Sequence, residues 1–183
     1  GDINGEIQQL ETILSACAGK KNIILDLRAN TGGYDTASLR IAGHFADARR
    51  LAFSKQVRDG DGFAPLYQRY VEPEGKVFQG KVYVLTSRFT VSAGETLTMT
   101  LRTLPNVTVI GENTNGAESV KVDYYLPNGW RVSLSNERYV AADGVAYEKT
   151  GIPPAIYIPF DAKAYLAGND AILSKALELT GAR

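Results

Sequence analysis

The chain is organised around the stretch FTVSAGETLTMTL, residues 89–101, which follows the run KVYVLT at residues 81–86. The earlier run is β-branched and aromatic, and it predicts a short buried strand. Beyond Ser92 the apolar residues recur at helical spacing, as Ala93, Leu97, Leu101 and Leu104. Ser92 is therefore predicted to lie where a strand turns into a helix.

This position gives the Ser92 hydroxyl two alternative roles. A serine at the start of a helix most simply caps it, because its side chain accepts a hydrogen bond from a free backbone N–H. The same free N–H groups can stabilise developing negative charge, which a nucleophile in acyl transfer needs nearby. Taken by itself, the stretch favours the cap.

Composition excludes several classes of protein. The 183 residues are 44% hydrophobic and 22% charged, which is typical of one globular domain. Twenty basic residues balance twenty acidic ones without a basic stripe, so no nucleic-acid partner is expected. No apolar run has the length of a membrane span. With the single Cys17 and no Cys or His cluster, neither a disulfide nor a metal site is expected.

The apolar pattern alternates between helical and strand periods, which predicts a single α/β domain. The predicted helices cover residues 7–17, 35–45 and 93–104, and a closing helix combines Leu166 with residues 171–179. The predicted strands cover residues 22–27, 51–53, 66–71, 81–86, 107–110, 120–126 and 130–134. The last two form a hairpin with Trp130, Val132 and Leu134 on its apolar face. Asp35 or Thr36 is expected to cap the second helix, and Cys17 to lie in the core.

The segment DLRANTGG, residues 26–33, ends a predicted strand with two glycines. Glycines allow the backbone to approach a ligand closely. Loops at the carboxyl ends of parallel strands meet in one crevice, so this loop and the Ser92 turn can share a site. An ordinary turn also explains Gly32 and Gly33, and no Gly-Lys-Ser/Thr follows to make a phosphate loop.

Six motifs, in this order, resemble the C-terminal-processing (tail-specific) serine peptidases. They are DLRxNxGG at 26–33, TxSAxE at 90–95, GExTxG at 111–116, LPxG at 126–129, residues 144–148 leading into GIxP at 151–154, and GxD at 168–170. They cover nearly the whole chain. The resemblance implies a crotonase-like α/β fold for the protease core, in agreement with the alternation of helices and strands.

The resemblance also implies roles for single residues. Ser92 matches the nucleophile. The backbone N–H of Ala93, together with that of Gly32 or Gly33, matches the oxyanion hole, where two donors stabilise the negative charge of a tetrahedral intermediate. Glu95 lies within reach of a capping-box bond and is interpreted as structural.

The residues around the Gly-Gly pair are interpreted as organising their loop. They are Asp26, Arg28 and Asn30. Arg28 has a second interpretation, because a guanidinium can hold a substrate carboxylate.

The sequence departs from the family at the catalytic base. One branch activates its serine with a lysine directly after the glycine that Gly116 matches, and that position is Ala117 here. Lys121, in a strand pattern, is not expected to replace it. The other branch, which resembles the tricorn protease core, uses a histidine oriented by a glutamate, and Glu148 matches that glutamate. On composition alone, Glu148 is equally well explained as a solvent-exposed acid.

The only histidine is His44, on the predicted second helix. Helical spacing places it between the apolar and polar faces, so we expect it at the surface or half-buried, and remote from Ser92. In the tricorn-like branch the catalytic histidine lies before the first helix of the core. The resemblance thus implies that residues 1–183 are a protease core shortened at its N-terminal side, with the base upstream and no PDZ-like domain.

The sequence therefore predicts a serine endopeptidase core that acts on peptides or unfolded proteins without a metal or other cofactor. Two further classes stay open. A non-enzymatic ligand- or peptide-binding module of the same fold would suit a missing base, and a crotonase-like acyl-CoA enzyme would share the paired oxyanion donors without needing Ser92. Many bacterial family members work outside the cytoplasm, so the resemblance implies a periplasmic or otherwise extracytoplasmic location.

Overall fold

The structure, a computed structural model, describes residues 2–181, which form five helices and ten strands. The helices are α1 (Ile3–Ala16), α2 (Asp35–Gly43), α3 (Ala93–Leu101), α4 (Ala162–Leu166) and α5 (Ala171–Thr180). The strands are β1 (Asn22–Asp26), β2 (Arg50–Asp59), β3 (Gly62–Phe63), β4 (Tyr67–Val71), β5 (Lys81–Thr86), β6 (Val107–Gly111), β7 (Lys121–Tyr125), β8 (Arg131–Ser135), β9 (Glu137–Ala141) and β10 (Ile156–Tyr157).

Four strands form a parallel sheet in the order β1-β5-β6-β10. Because these strands run in one direction, the loops that follow β1, β5 and β6 leave the same edge side by side. Those loops contain the Gly32–Gly33 pair, Ser92 and residues 112–120. The predicted α/β domain with parallel strands is confirmed.

Strand β5 shows that both faces of this sheet are buried, as is usual for parallel strands. Val82 and Val84 belong to the larger core, which also contains residues of α2, α3 and the second sheet. Tyr83 and Leu85 point to the other side, where they pack with Ile172 of α5. The strand that leads to Ser92 is therefore held from both faces.

Helix α3 is buried along its whole length, and not only on the apolar face that the sequence predicted. The difference arises because α3 contacts both α2 and strand β2 of the second sheet. Its buried threonines satisfy their hydroxyls within the helix. Thr98 Oγ1 donates to the Gly94 carbonyl at 2.8 Å, and Thr100 Oγ1 donates to the Thr96 carbonyl at 2.7 Å.

A second sheet is built on β2, which pairs with β3, β4 and β9, all antiparallel. The sequence predicted only residues 51–53 of β2, and it missed β9 and the two-residue β10. The five residues of β9 pair with residues 53–57 of β2, which lie 80 to 88 positions earlier in the chain. Such a strand is specified by its partner more than by its own pattern.

The predicted hairpin is confirmed as β7 and β8, which form a sheet of their own. Its apolar face does not pack inward as the alternation suggested. Trp130 is 70% exposed and Leu134 is 55% exposed. No other strand within residues 2–181 extends this two-stranded sheet.

Three smaller predictions are wrong. Cys17 caps the end of α1 and is only half-buried, so it is not a core residue. Tyr34, and not Asp35 or Thr36, is the N-cap of α2. The closing helix is two helices, because Asp170 caps a new one after Gly168, and Leu166 is left exposed on α4. None of the helices between residues 2 and 181 is long and apolar enough to cross a membrane.

Two glycines offer a matched test of the packing at the sheet edge. Gly111 ends β6 with φ +126°, and an added Cβ would overlap the carbonyl oxygen of Thr86 on β5. Gly129, in the hairpin loop with φ +83°, has open space at that point. We expect Gly111→Ala to lower the free energy of unfolding by ~3 kcal/mol or more, and Gly129→Ala by ~1 kcal/mol. Urea unfolding measures both, and equal losses would contradict the steric explanation.

Candidate active site

Ser92 has an unusual backbone conformation, with φ 57° and ψ −122°. A positive φ is uncommon outside glycine, and such strain concentrates at functional sites. Ser92 is also the N-cap of α3, as the sequence predicted. The turn from β5 into α3 thus resembles the sharp strand-to-helix turns that present nucleophilic serines.

Gly32 packs directly on Ser92. A Cβ added at Gly32 would lie 2.8 Å from Ser92 Cβ and 3.2 Å from Ser92 Oγ. The φ of Gly32 is +110°, in the region that favours glycine. The loop after β1 and the turn after β5 therefore form one site. Because Gly32 has no side chain, there is room for the side chain of Ser92.

Two of the backbone N–H groups that the sequence assigned to the oxyanion hole are without an acceptor. Among residues 2–181, no hydrogen bond uses the N–H of Ala93 or of Gly33. Ala93 is the first residue of α3, where a helix leaves its N–H groups unpaired. The Gly32 N–H instead donates to Asn30 Oδ1 at 2.9 Å. Of the three expected oxyanion donors, Ala93 and Gly33 are the two with a free N–H.

Direct bonds hold the loop after β1 to the turn after β5. The Val91 N–H donates to the Asn30 carbonyl at 2.9 Å. Thr90 Oγ1 donates to the Leu27 carbonyl at 2.9 Å. Because one bond lies next to Ser92 and the other at the base of the loop, the two segments are fixed relative to each other.

Glu95 ties the Ser92 turn to the loop after β6. Its side chain is fully buried. Oε1 accepts hydrogen bonds from Thr114 Oγ1 at 2.7 Å and from the Gly116 N–H at 2.6 Å. Oε2 accepts from the Ala117 N–H at 2.8 Å and from the Ser92 N–H at 3.2 Å. The predicted capping-box bond is present, but three further donors show that Glu95 organises the whole site.

Glu148 lies behind the same loop. Its Oε2 accepts hydrogen bonds from the backbone N–H groups of Glu118 at 3.2 Å and Ser119 at 3.3 Å. Within the described chain no hydrogen bond joins Glu148 to Ser92. Gly32 and Ala93 are therefore brought to the serine directly, whereas Glu148 is connected to it through the loop.

Glu118 is a buried acid that the sequence interpretation missed. Its side chain is 2% exposed, and neither carboxyl oxygen has a hydrogen-bond partner within residues 2–181. Burial, and then the negative charges of Glu95 and Glu148, raise the pKa of Glu118 from 4.5 to about 8. An acid in an otherwise polar segment carries no sequence signal that distinguishes it from a surface residue.

No hydrogen bond joins His44 to Ser92 within residues 2–181. His44 follows the last residue of α2 and is fully buried, which corrects the expected surface position. A Cβ added at Gly75 would lie 2.9 Å from His44 Cε1, so the ring faces the loop after β4. Neither ring nitrogen has a hydrogen-bond partner in the described part of the chain. The helix ends at residue 43, so the helical spacing used to place His44 no longer applied there.

Neither Lys121 nor Lys55 forms a hydrogen bond with Ser92 within residues 2–181. Lys121 is exposed on β7. Lys55 is buried, and its Nζ lies 3.0 Å from carboxylate oxygens of both Asp35 and Glu137. Burial by itself would lower the pKa of Lys55, but its hydrogen bonds to Glu137 and Asp35 outweigh burial and raise it. A lysine that stays protonated cannot accept the proton of Ser92.

Arg28 is held by two carboxylates. Its Nη2 lies 2.7 Å from Asp26, and its Nη1 lies 2.7 Å from Asp170 at the start of α5. These pairs fit the interpretation of Arg28 as a residue that organises its loop. A substrate carboxylate would have to compete with both resident carboxylates.

A cleft of about 540 Å³ opens beside the Gly-Gly loop. It is lined by Asp26, Arg28, Ala29, Asn30, Ser87, Phe89, Glu112, Phe160 and Tyr165. Its three aromatic residues are all exposed. The cleft can therefore receive an apolar or aromatic side chain close to the serine turn. Within residues 2–181 no cluster of His, Cys, Asp and Glu has an arrangement that could hold a metal ion.

Comparisons with known proteins show which family the chain resembles. The family model described as peptidase family S41 matches residues 2–158. The carboxy-terminal processing protease CtpA of Bacillus subtilis (strain 168) is 31% identical over 138 residues, which is 75% of this chain and 28% of that protein. The chain thus spans a little over a quarter of that relative.

Solved structures share the fold. A protein of Parabacteroides merdae ATCC 43184, assigned as a peptidase, superposes with a TM-score of 0.87 and 29% identity over 95% of this chain and 56% of that one. The photosystem II D1 C-terminal processing protease superposes with a TM-score of 0.67 and 26% identity over 87% of this chain and 40% of that one.

The Glu95 network is testable by an isosteric change. Glu95→Gln replaces one acceptor oxygen with an NH₂ group that, in either orientation of the amide, faces at least one backbone N–H donor. We expect the free energy of unfolding to fall by ~3 kcal/mol or more, because buried donors lose their acceptor. Glu72→Gln, which breaks an exposed ion pair with Arg49, is the matched control and should cost less than ~1 kcal/mol. Urea unfolding separates the two, and equal effects would contradict the role of Glu95.

The raised pKa of Glu118 predicts that the free energy of unfolding falls as the pH rises. Between pH 4.5 and about 8 the unfolded chain has lost this proton while the folded chain keeps it, so unfolding is increasingly favoured. Its contribution is fully present below about pH 4.5 and is lost as the pH approaches 8. Glu118→Gln cannot ionise and should lack this part of the decline. Urea unfolding at several pH values measures both proteins, and identical slopes would refute the assignment.

Proposed function

The chain belongs to peptidase family S41, and on that premise we propose that it carries the nucleophile and the oxyanion donors of a serine endopeptidase. The observation that carries this proposal is the geometry of Ser92. It has a strained φ of 57° at the start of α3, it packs against Gly32, and the N–H of the next residue, Ala93, is free. A serine that served only as a helix cap would need neither the strain nor the glycine contact.

In the proposed reaction, Ser92 Oγ attacks the carbonyl carbon of a peptide bond. A base removes the hydroxyl proton as the O–C bond forms, and the carbonyl oxygen becomes an oxyanion. The N–H groups of Ala93 and Gly33 would hold this oxyanion, with support from the partial positive charge at the start of α3. The base then gives its proton to the leaving amine, and water hydrolyses the acyl-enzyme.

We infer that the base is a histidine outside residues 1–183 and that Glu148 orients it, as in the tricorn-like branch. Three facts support this inference. His44 is buried with its ring against Gly75, Lys55 is held by two carboxylates, and Ala117 has no ionisable side chain. These observations favour a base that comes from elsewhere in the protein.

The proposal extends to substrate, fold and location. Peptides or unfolded proteins would be the substrates, with one side chain in the aromatic cleft beside the Gly-Gly loop. The fold would be the crotonase-like core that the family resemblance implies, and the location periplasmic or otherwise extracytoplasmic. No metal or organic cofactor takes part in the proposed chemistry.

The 183-residue chain should therefore hydrolyse a peptide substrate at close to the background rate, since a general base contributes ~10²–10⁴-fold. A longer polypeptide that includes the residues encoded upstream should hydrolyse it. In that polypeptide, Ser92→Ala should abolish the activity, and Glu148→Gln should lower kcat while leaving the urea midpoint unchanged.

Full activity of the 183-residue chain would show that no base is missing. Activity of the longer polypeptide after Ser92→Ala would remove Ser92 as the nucleophile. An inactive longer polypeptide that still binds peptides would favour the non-enzymatic binding module.

Position 117 allows a gain-of-function test. The Ala117 N–H shares Glu95 Oε2 with the Ser92 N–H, so residue 117 lies beside the serine turn. We expect Ala117→Lys to raise the hydrolysis of an activated ester by ~10-fold or more, because a lysine there can act as the base. Ala117→Lys combined with Ser92→Ala gives the background rate. Ser133→Lys, on the exposed hairpin, controls for added charge, and an equal increase there would refute the explanation.

A further inference from the structure

The cleft beside the Gly-Gly loop has an aromatic wall that is open to a ligand. Phe160 and Tyr165 line the cleft, and both side chains are exposed. Their ring centroids lie 5.4 Å apart, so the two rings form one continuous apolar surface. Among residues 2–181 no Lys or Arg lies over either ring, whereas the ring of Phe89 already has the Arg88 guanidinium 5.1 Å from its centroid. Two aromatic surfaces are thus free to contact an incoming group.

The charges that line the cleft do not balance. Arg28 donates to both oxygens of Asp26 and is also paired with Asp170, which neutralises the cation. Burial by itself would raise the pKa of Asp26, but the hydrogen bonds from Arg28 outweigh burial and lower it. The remaining charged lining residue is Glu112, and no Lys, Arg or His within residues 2–181 forms an ion pair with it. The cleft therefore contains one carboxylate whose charge is not offset.

Glu112 is held in place with one oxygen unused. It is half-buried, and its Oε1 accepts a hydrogen bond from the Phe160 N–H at 3.2 Å. Its backbone is fixed to the end of β5, because Thr86 Oγ1 donates to the Glu112 carbonyl at 2.8 Å. Within the described chain no hydrogen bond uses Glu112 Oε2. One oxygen therefore fixes the acid against the segment that supplies the aromatic wall, and the other can accept from a ligand.

The cleft also borders the two segments that form the serine site. Asn30 lines it, and the Asn30 carbonyl accepts the N–H of Val91, the residue before Ser92. Phe89, which lines the cleft as well, belongs to the turn that leads to Ser92. A group bound in the cleft is therefore next to the loop and the turn that hold the serine.

We propose that the cleft is a subsite for a lysine or arginine side chain of the peptide substrate, and that Glu112 is the residue that determines this specificity. The inference rests on the proposed function, because it takes the ligand to be the peptide that Ser92 attacks. The aliphatic part of the side chain would pack against Phe160 and Tyr165. The cationic end would donate a hydrogen bond to Glu112 Oε2.

The chemistry of the cleft distinguishes between side chains. Lysine and arginine combine an apolar stem with a charged end, and aromatic rings attract a cation placed over their faces. An apolar side chain of the same length would contact the rings, but it would displace water from Glu112 without replacing the lost hydrogen bonds. An acidic side chain would be repelled by Glu112. The volume of about 540 Å³ is ample for one long side chain.

Two small probes that differ only in the ammonium group test the subsite. They are N-acetyl-lysine N-methylamide and N-acetyl-norleucine N-methylamide. Binding to the 183-residue chain is followed by NMR, through the amide signals of Glu112 and Phe160, at about pH 7.5 and low salt, where charges are least screened. We expect the lysine probe to bind ~10-fold more tightly than the norleucine probe, because it forms a charge-assisted hydrogen bond. This comparison needs no variant.

Glu112→Gln then tests the residue itself. The amide oxygen of the new side chain can still accept from the Phe160 N–H, so the fold is expected to persist. The ratio of the two dissociation constants should fall close to 1, because the negative charge is gone. Glu72→Gln, which changes an exposed acid that does not line the cleft, should leave the ratio unchanged. The inference is overturned if neither probe binds, if both bind the unsubstituted chain equally, or if Glu112→Gln keeps the preference for lysine.

A second readout uses the longer polypeptide that includes the residues encoded upstream. Peptides that carry lysine or norleucine at one position at a time around the cleaved bond give the ratio of kcat/KM for the two side chains. We expect a preference for lysine of ~10-fold at one position, and its loss in Glu112→Gln. Probe binding that prefers lysine and depends on Glu112, without any Ser92-dependent hydrolysis, would uphold the subsite and refute the peptidase function. Hydrolysis that needs Ser92 but shows no preference for lysine at any position would do the reverse.

Discussion

The buried carboxylate of Glu95 is the interaction on which the site depends. A charge without solvent contact is tolerated only when hydrogen bonds replace its hydration, and here four donors do so. The donors come from two separate segments, the turn after β5 and the loop after β6. Satisfying one side chain therefore requires both segments in a single arrangement. This requirement also explains how Ser92 can be held at a φ that it would not adopt alone.

Groups that favour opposite charges occur in the segments around Ser92. The start of α3 and the free N–H of Ala93 favour negative charge next to the serine. The loop after β6, which Glu95 ties to the Ser92 turn, contains Glu118, and the pKa of Glu118 is raised by burial and by the negative charges of Glu95 and Glu148. In the proposed acyl transfer to Ser92, negative charge would develop on the substrate oxygen and positive charge on the base, so both kinds of group would be useful there.

Much of this arrangement could be predicted from local patterns. The strand before Ser92, the helix after it and the glycines after β1 all have short-range signatures, and parallel pairing then brings them to one edge. The pairing of β9 with β2 could not be predicted, because it depends on a partner 80 to 88 positions away. Glu118 and His44 were missed for a related reason. Their burial is decided by what packs around them, and the sequence interpretation had only their immediate neighbours.

The order of strands in the parallel sheet has a consequence for how the protein folds. β1 pairs with β5, and the register joins Asn22 to Lys81 across the whole of α2 and the first strands of the second sheet. Closing so long a loop costs entropy before any contact repays it, so this pairing is slow compared with local helix formation. The loop with Gly32 and Gly33 follows β1, and the turn with Ser92 follows β5. The Gly32–Gly33 pair and Ser92 therefore come together only after a long-range step of folding, and a partly folded chain has no assembled site.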